Sequence, residues 1–229
     1  MGARVTRQGR IFYGWWIVAV CFLSLFVFAG TGFYIFGIFL KPLMAAFPSW
    51  SRTTVSLAFT LYFVTMGLAS PIVGRITDRY GAKRVIIAGG FITGVGFCLL
   101  SMTTSLWYFY LIYAVISIGL AAHGIIPATA LVGNWFTKRR GRATGIAIAG
   151  IGVGAIAFAP TAGFLINSLG WSLSYIVIGV AAWLLIVPAA ALVLRERPQD
   201  DLLFPSADAT TNNWGAIPYC IHDNALRLL

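Results

Sequence analysis

Six apolar runs, parted by short connecting segments, take up most of this 229-residue chain. They fall near residues 12–38, 53–74, 85–103, 105–134, 143–168 and 171–194. A run of about 20 apolar residues, coiled as an α-helix, matches the hydrocarbon thickness of a bilayer. In lipid every backbone N–H and C=O must be paired within the structure, so only helices and closed barrels can span. Barrel strands alternate apolar and polar residues, and these runs are continuous, which leaves helices. Only 10% of the residues are charged, and mean hydropathy is +0.88. A soluble domain carries about 25% charged residues. The expected fold is an all-α membrane protein with six transmembrane helices. Its parts are an N-terminal segment (1–11), a helical bundle (12–194) and a polar tail (195–229).

The connecting segments are of two kinds. Residues 1–11, 75–84, 135–142 and 195–229 hold 14 of the 16 Lys and Arg residues, and the other connections hold only Lys41 and Arg52. Basic residues concentrate on the cytoplasmic side of membrane proteins, so both termini are expected in the cytoplasm. This pattern also accounts for the net charge of +10 without nucleic acid, since no basic groove interleaved with aromatics is present. The run from Ile11 is too long for a signal-peptide core and reads as helix 1. Cys21, Cys98 and Cys220 have no metal-ligand spacing and imply no disulfide framework.

An internal repeat runs through the bundle. Pro71, Gly74, Asp78 and Gly81 recur as Pro160, Gly163, Asn167 and Gly170, each displaced by 89 residues. The first set ends helix 2 on the basic side and the second ends helix 5 on the opposite side. An inverted repeat of three helices plus three predicts that arrangement; chance recurrence among 25 glycines is the alternative. Gly90/Gly94 and Gly150/Gly154 have the spacing of small-residue packing seams. Pro127, Pro160 and Pro188 each remove a backbone hydrogen bond inside a span and are expected to kink it.

Gly74-Arg75-Ile76-Thr77-Asp78-Arg79-Tyr80-Gly81-Ala82-Lys83-Arg84 places five charges between apolar runs, as expected of a tight surface loop. Its spacing resembles the helix 2–3 loop of the major facilitator superfamily. Three further segments resemble that family's monocarboxylate porter and oxalate/formate antiporter branch. These are Tyr13-Gly14-Trp15-Trp16, then Phe36 to Leu43 with Trp50-Ser51-Arg52, and Asn134 to Gly145. The last contains Lys138, Arg139, Arg140, Gly141 and Arg142. The resemblance covers residues 11–198 and implies one six-helix, 3+3 inverted-repeat half of a twelve-helix carrier. The tail resembles the start of that family's central loop. In the family the aspartate matching Asp78 is thought to lock helix 2 against the second half. Gly74, Arg79, Gly81, Lys83 and Arg84 would belong to the same cytoplasmic network. The alternative for the basic residues is a solvated loop that only fixes orientation.

Four side chains are candidates for a substrate cavity. His123 is the one ionisable group deep in a span apart from Tyr and Cys, and such groups are functional candidates by default. Its imidazole can hydrogen-bond or pair with a carboxylate; bonding to a neighbouring helix's carbonyl is the alternative. Tyr34 stands where the resemblance implies a lysine in animal monocarboxylate carriers and a tyrosine in oxalate-type antiporters. Its phenol can donate to a carboxylate, or serve as an interfacial anchor. Tyr62 and Tyr113 are weaker candidates on helices 2 and 4.

No carboxylate lies within a span, and no phosphate-binding loop, paired acids or zinc-spaced histidines occur, so neither an enzyme nor a cofactor or metal is expected. The expected function is secondary transport of small mono- or dicarboxylates by alternating access. The expected partners are the lipid bilayer, the carboxylate and a second six-helix half or second copy. The alternative is a truncated, non-transporting remnant or a partner-binding module. The expected location is the plasma (inner) membrane.

Overall fold

A computed structural model describes residues 13–136 and 139–195. The N-terminal segment, Lys138 and the tail beyond Arg195 lie outside the described residues. Among those described there are helices and no strands. Five continuous helical runs are long and apolar enough to cross a membrane. They are α1 (Gly14–Ala46), α2 (Arg52–Tyr80), α3 (Ala82–Leu100), α4 (Leu106–Trp135) and a 54-residue run, Arg140–Val193. The last would measure about 80 Å if straight, far more than one bilayer. Gly170 breaks it, with φ 79° and ψ 170°, into α5 (140–169) and α6 (171–193). Six spans therefore result, as expected.

Contacts with α1 fix the direction of the last two helices. The backbones of Phe22 and Phe26 press on Gly150 and Gly154 in the same order, so α5 runs parallel to α1. Tyr175 stacks on Phe39 at 4.0 Å between ring centroids. At the other end of α6 the Tyr13 hydroxyl donates to the Val193 carbonyl at 2.8 Å. Consequently α6 runs antiparallel to α1, and Gly170 is a reversal.

The inverted repeat is visible in backbone geometry. Gly81, with φ 89° and ψ 150°, joins α2 to α3. Among the described glycines it shares positive φ only with Gly170, its counterpart 89 positions on. Glycine adopts such angles without the Cβ clash that other residues meet. The two reversals sit at opposite ends of the bundle. The repeat also relates α3 to α6 at their crossing. A Cβ on Gly90 would meet the Ile186 side chain at 2.7 Å, and one on Gly179 would meet the Phe97 Cβ at 2.9 Å. Displacing each residue of one pair by 89 positions and exchanging partners gives the other pair. Gly94 meets its own counterpart, Trp183, so the pseudo-two-fold axis passes through that contact.

Helix ends differ from the expectation. The first helix continues past residue 38 to Ala46 with Pro42 inside, so Lys41 is helical rather than part of a connection. The charged segment 75–84 is not a loop: Gly74 to Tyr80 finish α2, Ala82 begins α3, and Gly81 alone is non-helical. Likewise Arg140, Gly141 and Arg142 are in the first turn of α5. At 29 residues α2 is about 43 Å long, which fits the bilayer with its headgroup layers. Charged residues can thus stay helical once they reach the headgroups. Ser51 and Ser105 cap the starts of α2 and α4, accepting from the N–H of Thr54 at 3.1 Å and of Tyr108 at 3.4 Å.

Candidate functional site

Two spans depart from regular α-helical geometry midway, one by a widened turn and one by a break. In α1 the turn Gly30–Tyr34 is a π-helix, a wider turn that often marks functional positions. The Phe158 ring occupies the place a Cβ on Gly30 would take. Within this turn the Thr31 hydroxyl donates back to the Val27 carbonyl at 2.7 Å, a bond that bends helices. In α4 the interruption is at Gly124, with φ −80° and ψ −150°. Pro127 brings no N–H to the His123 carbonyl four residues back. That carbonyl instead accepts the Ser24 hydroxyl of α1 at 2.7 Å. The expected proline kink in α4 is therefore realised as a break, tied across to α1.

The two interruptions are related by the repeat. Tyr34 ends the π-turn, His123 is the last residue before the break, and they are 89 positions apart. The structure places them differently. Tyr34 is 44% exposed, whereas His123 is fully buried. The imidazole meets Phe28 edge-on at 6.2 Å, and neither ring nitrogen has a hydrogen-bond partner in the protein.

Tyr62 is also buried, and its hydroxyl has no partner either. It points at the π-turn, since a Cβ on Gly32 would stand 2.6 Å from that oxygen. Thr93 of α3, which the sequence did not single out, has a third unpartnered hydroxyl and faces Gly119, one turn before His123. A buried polar group without a partner costs about 1–3 kcal/mol. All three are packed beside the two interruptions. Tyr113 is placed otherwise. It lies in an aromatic cluster with Phe36 and Phe109, and its hydroxyl is 3.5 Å from that of Tyr175. The four candidates are therefore not gathered round one open cavity: three are buried and Tyr34 faces outward.

Helix extension adds a residue that the sequence reading had assigned to a connection. Tyr34, Gly37 and Lys41 are exposed at spacings of three and four, which puts them on one face of α1. A phenol and an ammonium thus share an accessible stripe.

At the basic end, motif segments far apart in sequence meet. The Tyr13 and Trp135 rings are 5.6 Å apart, and those of Trp15 and Phe136 are 5.5 Å apart. The Trp135 indole donates to the Arg195 carbonyl at 2.8 Å, and the Arg195 guanidinium lies 5.2 Å from the Tyr13 ring centre. The Lys83 ammonium donates to the Ala191 carbonyl at 2.8 Å, joining α3 to α6. Asp78, Arg79, Gly81 and Arg84 line a polar cavity of about 590 Å³ together with Asn134 and Arg140. Arg140 lies flat against Gly133, where a Cβ would come within 3.0 Å of the guanidinium. Gly74 has open space beside it, and Arg139, Gly141 and Arg142 are exposed.

A family model described as Major Facilitator Superfamily matches residues 20–228. The chain belongs to the Major Facilitator Superfamily. It is an integral, multi-pass membrane protein of a transporter family, not an enzyme. Similar curated proteins include monocarboxylate transporter 13 of Bos taurus, 27% identical over 200 residues, which are 87% of this chain and 46% of that protein. Monocarboxylate transporter 2 of Mesocricetus auratus is 31% identical over 173 residues, 73% of this chain and 34% of its own length. Monocarboxylate transporter 12 of Xenopus laevis is 34% identical over 139 residues, 60% and 30% respectively. The chain thus spans less than half the length of these relatives. Among solved structures, a proton:xylose symporter superposes with a TM-score of 0.69 at 15% identity, covering 82% of this chain and 46% of that one. A bacterial homolog of the human lysosomal transporter Spinster, inward-facing and unoccupied, gives 0.68 at 19%, covering 83% and 45%. These two likenesses show the major facilitator fold.

Proposed function

We propose that this chain supplies one six-helix half of a secondary carrier for small mono- or dicarboxylates. The observation that carries the reading is the pair of interruptions at repeat-related places in α1 and α4. Carriers built on inverted repeats bind substrate near the midplane, at discontinuous helices in corresponding positions of the two repeats. Tyr34 and Lys41 offer a carboxylate a hydrogen-bond donor and a cation on one accessible stripe. The names of the curated relatives point to the same substrate class. The basic end is read as cytoplasmic and the membrane as the plasma (inner) membrane.

The mechanism proposed is alternating access, with this bundle rocking against a second six-helix unit or a second copy. The exposed apolar stripe Leu57, Leu61, Val64, Leu68 and Ile72 on α2 is the face offered to that unit. In this reading His123 and Tyr62 gain partners when the α1–α4 contact opens. The same stripe favours a second reading, a six-helix module that binds a partner without transporting.

Uptake of labelled mono- and dicarboxylates by membrane vesicles containing the chain separates the two. Saturable uptake, competed by unlabelled carboxylates but not by sugars, is the expected result. Uptake no greater than in vesicles lacking the chain, both for the chain alone and for the chain co-expressed with a second six-helix half, contradicts the carrier reading.

A further inference from the structure

The accessible face of α1 carries a gap. Phe33, Gly37 and Lys41 repeat at four, so they form one row along the helix, with Gly37 a turn from each neighbour. Gly37 is exposed, and nothing lies within 4 Å of a Cβ built on it. The row therefore has a ring at one end, an ammonium at the other and a notch between them. Tyr34 flanks the notch on one side. On the other stands a wall of rings shared with α2. Phe63 meets Phe33 at 5.6 Å between centroids and Phe59 at 4.8 Å, and Phe59 stacks on Phe36 at 4.6 Å. Phe63 is 37% exposed. It stands about 100° round α2 from Val64, turned away from the stripe offered to a second unit.

We propose that this notch selects a monocarboxylate with an aryl or equally bulky apolar body, its carboxylate on Lys41 and Tyr34 and its ring over Gly37 against Phe33 and Phe63. The inference rests on the carboxylate-carrier reading above and narrows its substrate class. Lys41 is the one charged residue of α1. The one carboxylate among the described residues, Asp78, is near the far end of α2, on the basic side of the bundle. The ammonium thus has no acidic partner among them, and it can neutralise one carboxylate only. A second carboxylate would lie against the Phe33 and Phe63 rings, where nothing offsets its lost hydration. An aryl body instead gains offset or edge contacts with those rings, beyond the area it buries. A short acid such as acetate reaches the ammonium but leaves notch and wall unused. Gly37 is the residue that sets the size of the accepted body, because any side chain there fills the space between Phe33 and Lys41.

Equilibrium binding of labelled phenylacetate, acetate and succinate to the chain in nanodiscs, alone and co-expressed with a second six-helix half, tests the proposal. Binding to empty nanodiscs is subtracted. Phenylacetate should bind about tenfold or more tightly than either other acid, as burial of one ring predicts. Gly37→Leu, in open space on an exposed helix face, should cut the phenylacetate-to-acetate affinity ratio by about tenfold. Phe63→Leu, which keeps an apolar residue but removes the ring, should cut it by about threefold. Circular dichroism and a monodisperse elution profile confirm that each variant is folded. Phenylacetate bound no tighter than acetate, succinate bound as tightly as phenylacetate, or a ratio that Gly37→Leu leaves unmoved overturns the proposal and leaves the carrier reading standing. Failure of all three acids to bind in either preparation overturns both.

Discussion

The Ser24 hydroxyl donates to the His123 carbonyl across the α1–α4 contact, at 2.7 Å. That carbonyl is free because the residue four places on is Pro127. The bond therefore replaces an intrahelical one and pins the break in α4 to the half of α1 that precedes its π-turn.

Ser24→Ala should lower stability by about 1–2 kcal/mol, the cost of leaving a buried carbonyl unpaired. Pro127→Ala restores an N–H at position 127 that can close the intrahelical bond. On that background the cost of Ser24→Ala should fall by half or more, since the carbonyl then has another partner. Thermal unfolding of the four proteins in one detergent measures the cycle. Equal costs on both backgrounds would separate the hydroxyl from the proline.

Gly170→Ala should destabilise the protein by about 1–3 kcal/mol, because φ 79° with ψ 170° is a region open almost only to glycine. No atom lies within 4 Å of a Cβ built there, so the loss is conformational and not a clash. Gly163 has equally open space but ordinary helical angles. Gly163→Ala should therefore be neutral or stabilising by up to about 1 kcal/mol. Denaturation midpoints of the two variants check the contrast.

Gly179→Val should do greater damage. Even a Cβ there would approach the Gly94 carbonyl oxygen to 2.7 Å, and backbone cannot move aside as a side-chain tip can. Overpacking costs typically 1–3 kcal/mol and more where backbone is the obstacle. Loss of monodisperse protein after extraction is the expected readout, and a native-like yield would count against the close α3–α6 crossing.

Tyr34 and Tyr113 should separate in function. Tyr113 lies in a buried aromatic cluster, so Tyr113→Phe should leave uptake kinetics near native and change only stability, by about 1 kcal/mol or less. Tyr34 is exposed beside the Lys41 stripe, so Tyr34→Phe should change kinetics and leave stability alone.

Much of this architecture was legible in the sequence because lipid allows few alternatives. Apolar runs gave the six spans, and the displacement from Gly81 to Gly170 foretold the two reversals. Helix ends were less legible. Charged residues such as Arg75, Asp78 and Lys41 mark where the hydrocarbon stops, not where the helix stops. The inter-helix ties were not legible at all. Nothing near Ser24 announces the His123 carbonyl, and Gly30 gives no sign that Phe158 lies against it. Such contacts depend on how helices far apart in sequence are brought side by side. His123 and Tyr62 stood out as polar residues in apolar runs, but their burial without partners is a property of the packing. The family resemblance rested on segments such as Tyr13 to Trp16 and Trp135-Phe136. Their meeting in one aromatic cluster gives those residue types a structural reason.

The KM for uptake of a labelled monocarboxylate by vesicles bearing Tyr34→Phe, compared with the unaltered chain at equal amounts in the membrane, tests the central claim most directly. If the interrupted stretch of α1 holds the carboxylate, KM should rise about tenfold through loss of one hydrogen bond to a charged group. Saturable uptake with an unchanged KM would contradict it.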